Sequence, residues 1–120
     1  MNEIQYLVDE NTSRALGDQL RRRQPTISII YVGDELAPPL GTADPDILRW
    51  LERESHYLIT RNRRSMPRHL REHLATGGHI PGIFTLRPGA PLKQIIEDLL
   101  LTWEAADPDE YQNQIVHIPL

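Results

Sequence analysis

The chain has no cysteine among its 120 residues, so disulfides, thiol catalysis and cysteine-ligated zinc are excluded. No apolar run approaches the ~20 residues that a membrane-spanning helix needs. The amino terminus sets Glu3 in a strand-like context and shows no basic-then-apolar leader, which makes a cytoplasmic location the expectation. Lysine is nearly missing, since twelve of the thirteen cationic side chains are arginine. A net charge of −4 argues against a protein coated in positive charge for indiscriminate nucleic-acid binding. A Gly-rich phosphate loop is also lacking: Gly77-Gly78 is followed by no Lys-Ser/Thr and reads as a helix stop.

What is there describes an ordinary globule, 39% apolar and 25% charged, long enough for one domain with one core. Apolar Tyr6-Leu7-Val8 reads as a buried strand that stops at Asp9-Glu10-Asn11. A helix follows over Thr12–Arg23, with Thr12 or Ser13 as its cap and three arginines at its negative end. The β-branched run Thr26–Val32 makes a second strand, and strand-helix-strand at this spacing predicts parallel pairing through a crossover. Asp44-Pro45-Asp46 starts the next helix, with Asp44 as N-cap and Pro45 at the first helical position. Its apolar face is Ile47, Leu48 and Leu51, with Trp50 beside it, and it ends near Ser55. His56–Thr60 is a third strand, and Ser65 caps a helix with Leu70 and Leu74 on its inner face. Gly82–Leu86 is a fourth strand. Over Pro91–Ala105, Leu92, Ile95, Ile96, Leu99, Leu100 and Trp103 form one apolar stripe that reads as core. Gln114–Ile118 reads as a last strand at an edge. The expected fold is a single-domain three-layer α/β sandwich over residues 1–120, of Rossmann-like topology with a mostly parallel sheet of four or five strands. Its core spans about residues 4–105, and 106–120 form a tail that adds the edge strand.

In open α/β sheets, ligands bind beyond the carboxyl ends of the strands. Asp9-Glu10-Asn11, Asp44 and Asn62 all follow such ends, so they are expected to converge on one side of the sheet. The competing reading makes Asp9 or Asn11 a helix cap. Five arginines lie between Arg61 and Arg71, and guanidinium groups make planar two-pronged contacts to phosphate. Such a run also suits docking on an acidic partner, or a solvated helix face.

Leu7-Val8-Asp9-Glu10-Asn11, Gly41-Thr42-Ala43-Asp44-Pro45-Asp46-Ile47-Leu48 and Leu58-Ile59-Thr60-Arg61-Asn62 together resemble the short bacterial PIN-like proteins. Gly77-Gly78-His79-Ile80-Pro81-Gly82-Ile83-Phe84 adds to the likeness, which spans residues 4 to about 103. These proteins are relatives of the PIN-domain ribonucleases and are often encoded beside a small antitoxin-like gene. The resemblance implies a toxin-type endoribonuclease in which carboxylates hold Mg²⁺ or Mn²⁺, hard cations that take oxygen ligands. Asp9 and Asp44 would be the metal ligands, Asn62 a weaker third position, and Glu10, Asn11 and Thr60 the supporting residues. Arg61, Arg63, Arg64 and Arg68 would grip RNA, and a homodimer or an antitoxin-like partner protein is compatible with the family. The family pattern after the third strand is Thr-x-Asp, often with another Asp two residues on. Asn62 and Arg64 stand at those places here, which implies a weakly held metal. The alternative outcome is a PIN-like module that no longer cleaves but still binds RNA or a partner.

Two further patterns compete for attention. His69-Leu70-Arg71-Glu72-His73 fits H-x-x-E-H, a zinc-peptidase pattern, with His79 or Glu104 as loose third ligands. The chain is too short for that machinery, and a solvated helix end or a pH-sensitive patch is the plainer reading. Gly33-Asp34-Glu35 reads as a turn that could lend acids to the site. A flavodoxin-like fold binding a small phosphate ligand is the last option, and no Gly-rich loop supports it.

Overall fold

The computed structural model describes residues 4–120, so the strand-like reading at Glu3 lies outside the described residues. Strands and helices alternate throughout: β1 (Gln5–Val8), α1 (Arg14–Arg23), β2 (Ser28–Tyr31), α2 (Asp44–Glu54), β3 (Tyr57–Thr60), α3 (Met66–Ala75), β4 (Ile83–Leu86), α4 (Leu92–Ala105) and β5 (Ile115–Ile118). All five strands are parallel, in the order β2-β1-β3-β4-β5. The α/β sandwich expected from the alternation is therefore the fold, with β5 at an edge as its composition implied.

Because successive strand residues point to opposite faces, each short strand feeds two cores. Tyr6, Val8, Tyr57, Ile59 and Phe84 pack beneath α1 and α4. Leu7, Leu58 and Ile83 pack beneath α2 and α3. Strands covered on both faces are apolar almost throughout, as parallel sheets require.

The path between strands fixes where a ligand would sit. The chain steps from β1 outward to β2 through α1 on one face, then returns past β1 to β3 through α2 on the other. That reversal opens a crevice between the carboxyl ends of β1 and β3. The crossovers through α3 and α4 step in one direction yet place their helices on opposite faces. The α4 crossover thus has the opposite hand to the other three, against a strong general preference for one hand. Coverage explains it, because α1 alone would leave most of its face of the sheet bare. On that face the Tyr57 and Phe84 rings stack at 5.8 Å, and the Tyr6 hydroxyl donates to the Leu99 carbonyl at 3.0 Å, tying α4 down.

Several boundaries differ from the sequence reading. α1 starts at Arg14 with Ser13 as its cap, the Ser13 hydroxyl accepting from Ala15 N. Thr12 is buried and serves Asp9 instead. Asp44 is not the cap of α2: Ala43 holds that place, and Asp44 is the first helical residue. Already inside the helix, Asp44 turns its carboxylate to the Asn62 amide. Ser65 does precede α3, but its side chain makes no cap bond and accepts from Asn62. In α4, Ile95, Ile96 and Leu99 are buried as the stripe predicted, whereas Leu92 is 43% exposed. Leu92 is the first residue of α4 and lines a hollow with Leu16 and Leu86 rather than closing over the core.

Candidate functional site

Asp9 stands one residue past β1, where the strand's last pairing delivers it to the crevice. Both of its carboxylate oxygens are fully used. Oδ1 accepts from Asn11 N at 2.7 Å and from the Thr12 hydroxyl at 3.1 Å. Oδ2 accepts from the Thr60 hydroxyl at 2.6 Å and from Arg61 N at 3.4 Å. A carboxylate offers about four lone-pair sites, and here each meets a donor. Asp9 therefore knots together the end of β1, the approach to α1 and the end of β3.

Around it lies a hollow of about 260 Å³ lined by Asp9, Glu10, Asn11, Thr42, Asp44, Thr60 and Asn62, with Val32, Ile47, Leu58 and Met66 as its apolar floor. Residues 9, 44 and 62, far apart in the chain, thus share one cavity as the strand-end argument expected. Glu10 reaches across to the loop before α2, its Oε1 accepting from Gly41 N at 2.7 Å. Asp44 Oδ2 accepts from Asn62 Nδ2 at 3.0 Å. The Asn62 carbonyl oxygen accepts from Ser65 N at 3.2 Å, and its amide also donates to Ser65 Oγ at 2.8 Å. Asn62 is thereby turned with its NH₂ toward the acid and its oxygen toward α3. The carboxylate oxygens of the hollow left without a hydrogen bond among the described residues are Asp44 Oδ1 and Glu10 Oε2.

Sequence reasoning placed His69 in a different pattern, but its Nε2 lies 3.7 Å from Asp44 Oδ2. Its buried Nδ1 has no hydrogen-bond partner among the described residues, and Glu72 Oε1 is beyond bonding reach at 3.8 Å. Only the packing of α3 against α2 brings this imidazole to the acid, and no spacing in the sequence signals it. The other histidines of the H-x-x-E-H reading part company. His73 Nε2 donates to Glu52 Oε1 at 2.7 Å, and His79 Nδ1 accepts from Asn113 at 2.9 Å. Glu52 also accepts from His79 N, and that backbone bond, followed by the His73 contact, holds its carboxyl below the usual range. Among the described residues, no three His, Asp or Glu side chains are grouped to hold a metal ion.

A larger hollow of about 530 Å³ runs between α2 and α3 past Arg49, Arg53, His69, Glu72 and His73. Most of its charged groups have partners: Arg49 pairs with Asp46, Arg53 with Glu54 and His73 with Glu52. The arginines after β3 are different. The side chains of Arg61, Arg63, Arg64, Arg68 and Arg71 are exposed, and each lacks a carboxylate partner among the described residues. Asp34, suggested as a spare acid, is not in the hollow. It pairs with Arg14 at 2.8 Å and accepts from Tyr31 N, contacts that hold its carboxyl below the ordinary range.

Chemically, the hollow presents hard oxygens, and the chain positions either side of its lining residue Asn62 carry the exposed Arg61, Arg63 and Arg64. Magnesium takes one or two carboxylates and keeps several waters, so Asp44 Oδ1 and Glu10 Oε2 in a roomy polar cavity suit it. Carboxylates without a cation would repel a phosphate ligand, which disfavours simple phosphate binding. No helix among the described residues is long and apolar enough to cross a membrane. Compared with protein-family models, with curated proteins and with solved structures, the chain finds no match in any of the three.

Proposed function

We propose that this protein is a Mg²⁺- or Mn²⁺-dependent endoribonuclease with a two-carboxylate site. The observation that carries the reading is that Asp9, Glu10 and Asp44 line one hollow at the β1/β3 reversal, next to a loop whose arginines have no carboxylate partner among the described residues. Asp44 and Glu10 would offer their free oxygens to the cation, and Asp9 would set the wall of the site through its four donors. The cation would supply Lewis-acid stabilisation of phosphoryl charge and activation of water. Asn62 holds Asp44 in place through its amide. Arg63 and Arg64 grip the phosphates on either side of the bond to be cut, and Arg61 adds its charge at the same rim.

The test is cleavage of single-stranded RNA by purified protein with Mn²⁺, with EDTA, and with Asp44→Asn. Metal-dependent cleavage that falls at least about a hundredfold in Asp44→Asn is expected, as for loss of an electrostatic stabiliser of the transition state. Cleavage that ignores both EDTA and Asp44→Asn, or its complete absence, overturns the reading.

A second reading is favoured by the saturation of Asp9 and by the missing third acid. In it the chain is a PIN-like module that binds RNA or an antitoxin-like partner through Arg61–Arg71 without cutting. Salt-sensitive binding that EDTA leaves unchanged, with no cleavage under any metal, selects it.

A further inference from the structure

On the opposite face of the sheet rim from the acidic hollow lies a second one, of about 210 Å³. Leu16, Leu86 and Ile95 form its buried floor and Leu92 its exposed lip. Thr12 and Arg61 line it as well, and both are bonded to Asp9, one through its hydroxyl and the other through its backbone N–H. The two hollows therefore meet at Asp9, which lines one, and at its bonded partners Thr12 and Arg61, which line the other. Whole small-molecule ligands occupy ~300 Å³ or more, so this space suits one ring system. Its chemistry is specific: an apolar floor, the hydroxyl residues Thr12 and Ser13, and Arg61, which has no carboxylate partner among the described residues. A phosphate gains nothing from the leucines, and an aliphatic group gains nothing from Arg61. A flat ring with polar edges uses both, since unstacked bases lie against apolar side chains and guanidinium planes.

We propose that this hollow binds one unstacked nucleobase of an RNA strand that crosses the rim with its phosphate at the acidic site. Arg61 lies over the base, and Leu92 closes the outer edge. The proposal rests on the RNA-acting reading above and deepens it. A base held in a duplex cannot enter, so the substrate is single-stranded at that nucleotide.

The experiment measures binding twice, in EDTA and with Ca²⁺ as a hard cation for the acidic site, so that the readout is binding and not cleavage. The probe is a short single-stranded oligoribonucleotide with a fluorescent adenine analogue moved along it, alongside versions abasic at each position. One position is expected to change fluorescence on binding, and making that position abasic weakens binding about tenfold. Leu92→Ser removes the lip, and Arg61→Lys keeps the charge but loses the flat face. Each variant should lose that tenfold and become indifferent to the abasic change, while the dependence on salt stays as in the native protein. Leu92 is exposed, and serine suits a helix start, so the variant keeps its fold. Salt-sensitive binding by the native protein that ignores every abasic change, or equally tight duplex binding, overturns the base site and leaves the RNA reading standing. No binding of any RNA removes both.

Discussion

Asp9 and Asp44 carry the same chemical group but stand in different surroundings, and that difference is measurable. Asp9→Asn turns an NH₂ toward donors that now meet an acceptor, leaving at least one backbone N–H unserved. The expected loss is about 1–3 kcal/mol of stability, read as a lower urea midpoint at constant slope. Asp44→Asn still offers an oxygen to Asn62, so its stability should change by less than about 1 kcal/mol while metal-dependent activity is lost. Equal stability in the two variants would show that the four-donor knot at Asp9 contributes little. His56 offers a second residue-scale test. It is buried against Trp50, with ring centroids 4.7 Å apart, and its Nδ1 donates to the Glu54 carbonyl. Burial pushes its pKa below the ordinary histidine value near 6.5, and the Glu54 contacts only partly oppose that shift. The unfolded chain then takes up the proton more readily than the folded one. The stability that the neutral ring contributes should be complete above about pH 6.5 and fall as pH drops toward the lowered folded value. Urea midpoints across that range should show the fall, and His56→Leu should flatten it.

At the scale of elements, α1 and β2 are joined through one ring. The Tyr31 hydroxyl donates to the Ser13 carbonyl at 2.7 Å and accepts from Gly17 N at 3.0 Å. A Cβ at Gly17 would stand 2.9 Å from that ring, which both hydrogen bonds hold in place. Gly17→Ala should therefore destabilise by about 1–3 kcal/mol through overpacking, although alanine is the better helix former by about 1 kcal/mol. A gain in thermal midpoint would show that the ring moves aside. In α4, Leu99→Ala should cost about 2–5 kcal/mol and Leu101→Ala no more than about 0.5, since Leu99 is fully buried and Leu101 is 56% exposed. This contrast was readable from spacing alone. The exposure of Leu92 was not, because periodicity says which side of a helix is apolar and nothing about how far the core beneath it extends.

For the whole molecule, a net charge of −4 coexists with a local cationic loop, so any RNA binding must be local and salt-sensitive. Replacing Arg61, Arg63 and Arg64 together by glutamine should flatten the slope of log affinity against log salt by up to about 2. An unchanged slope would mean that the strand takes another path. The molecule has the size of one folded unit, with a radius of gyration of 13.3 Å against about 13.6 Å expected for this length. By itself the sequence determined the nine elements to within a residue or two at most ends, the parallel pairing, and the strand-end positions of Asp9, Asp44 and Asn62. Those follow from hydrophobic period, turn residues and helix starts, which act over a few neighbouring positions. Only the tertiary structure decided the strand order, the reversed hand of the α4 crossover, the saturation of Asp9 and the approach of His69 to Asp44. Each depends on groups distant in the chain, such as Thr60 and Asp9, 51 positions apart, whose meeting is set by how two faces of a sheet are covered and not by any local preference.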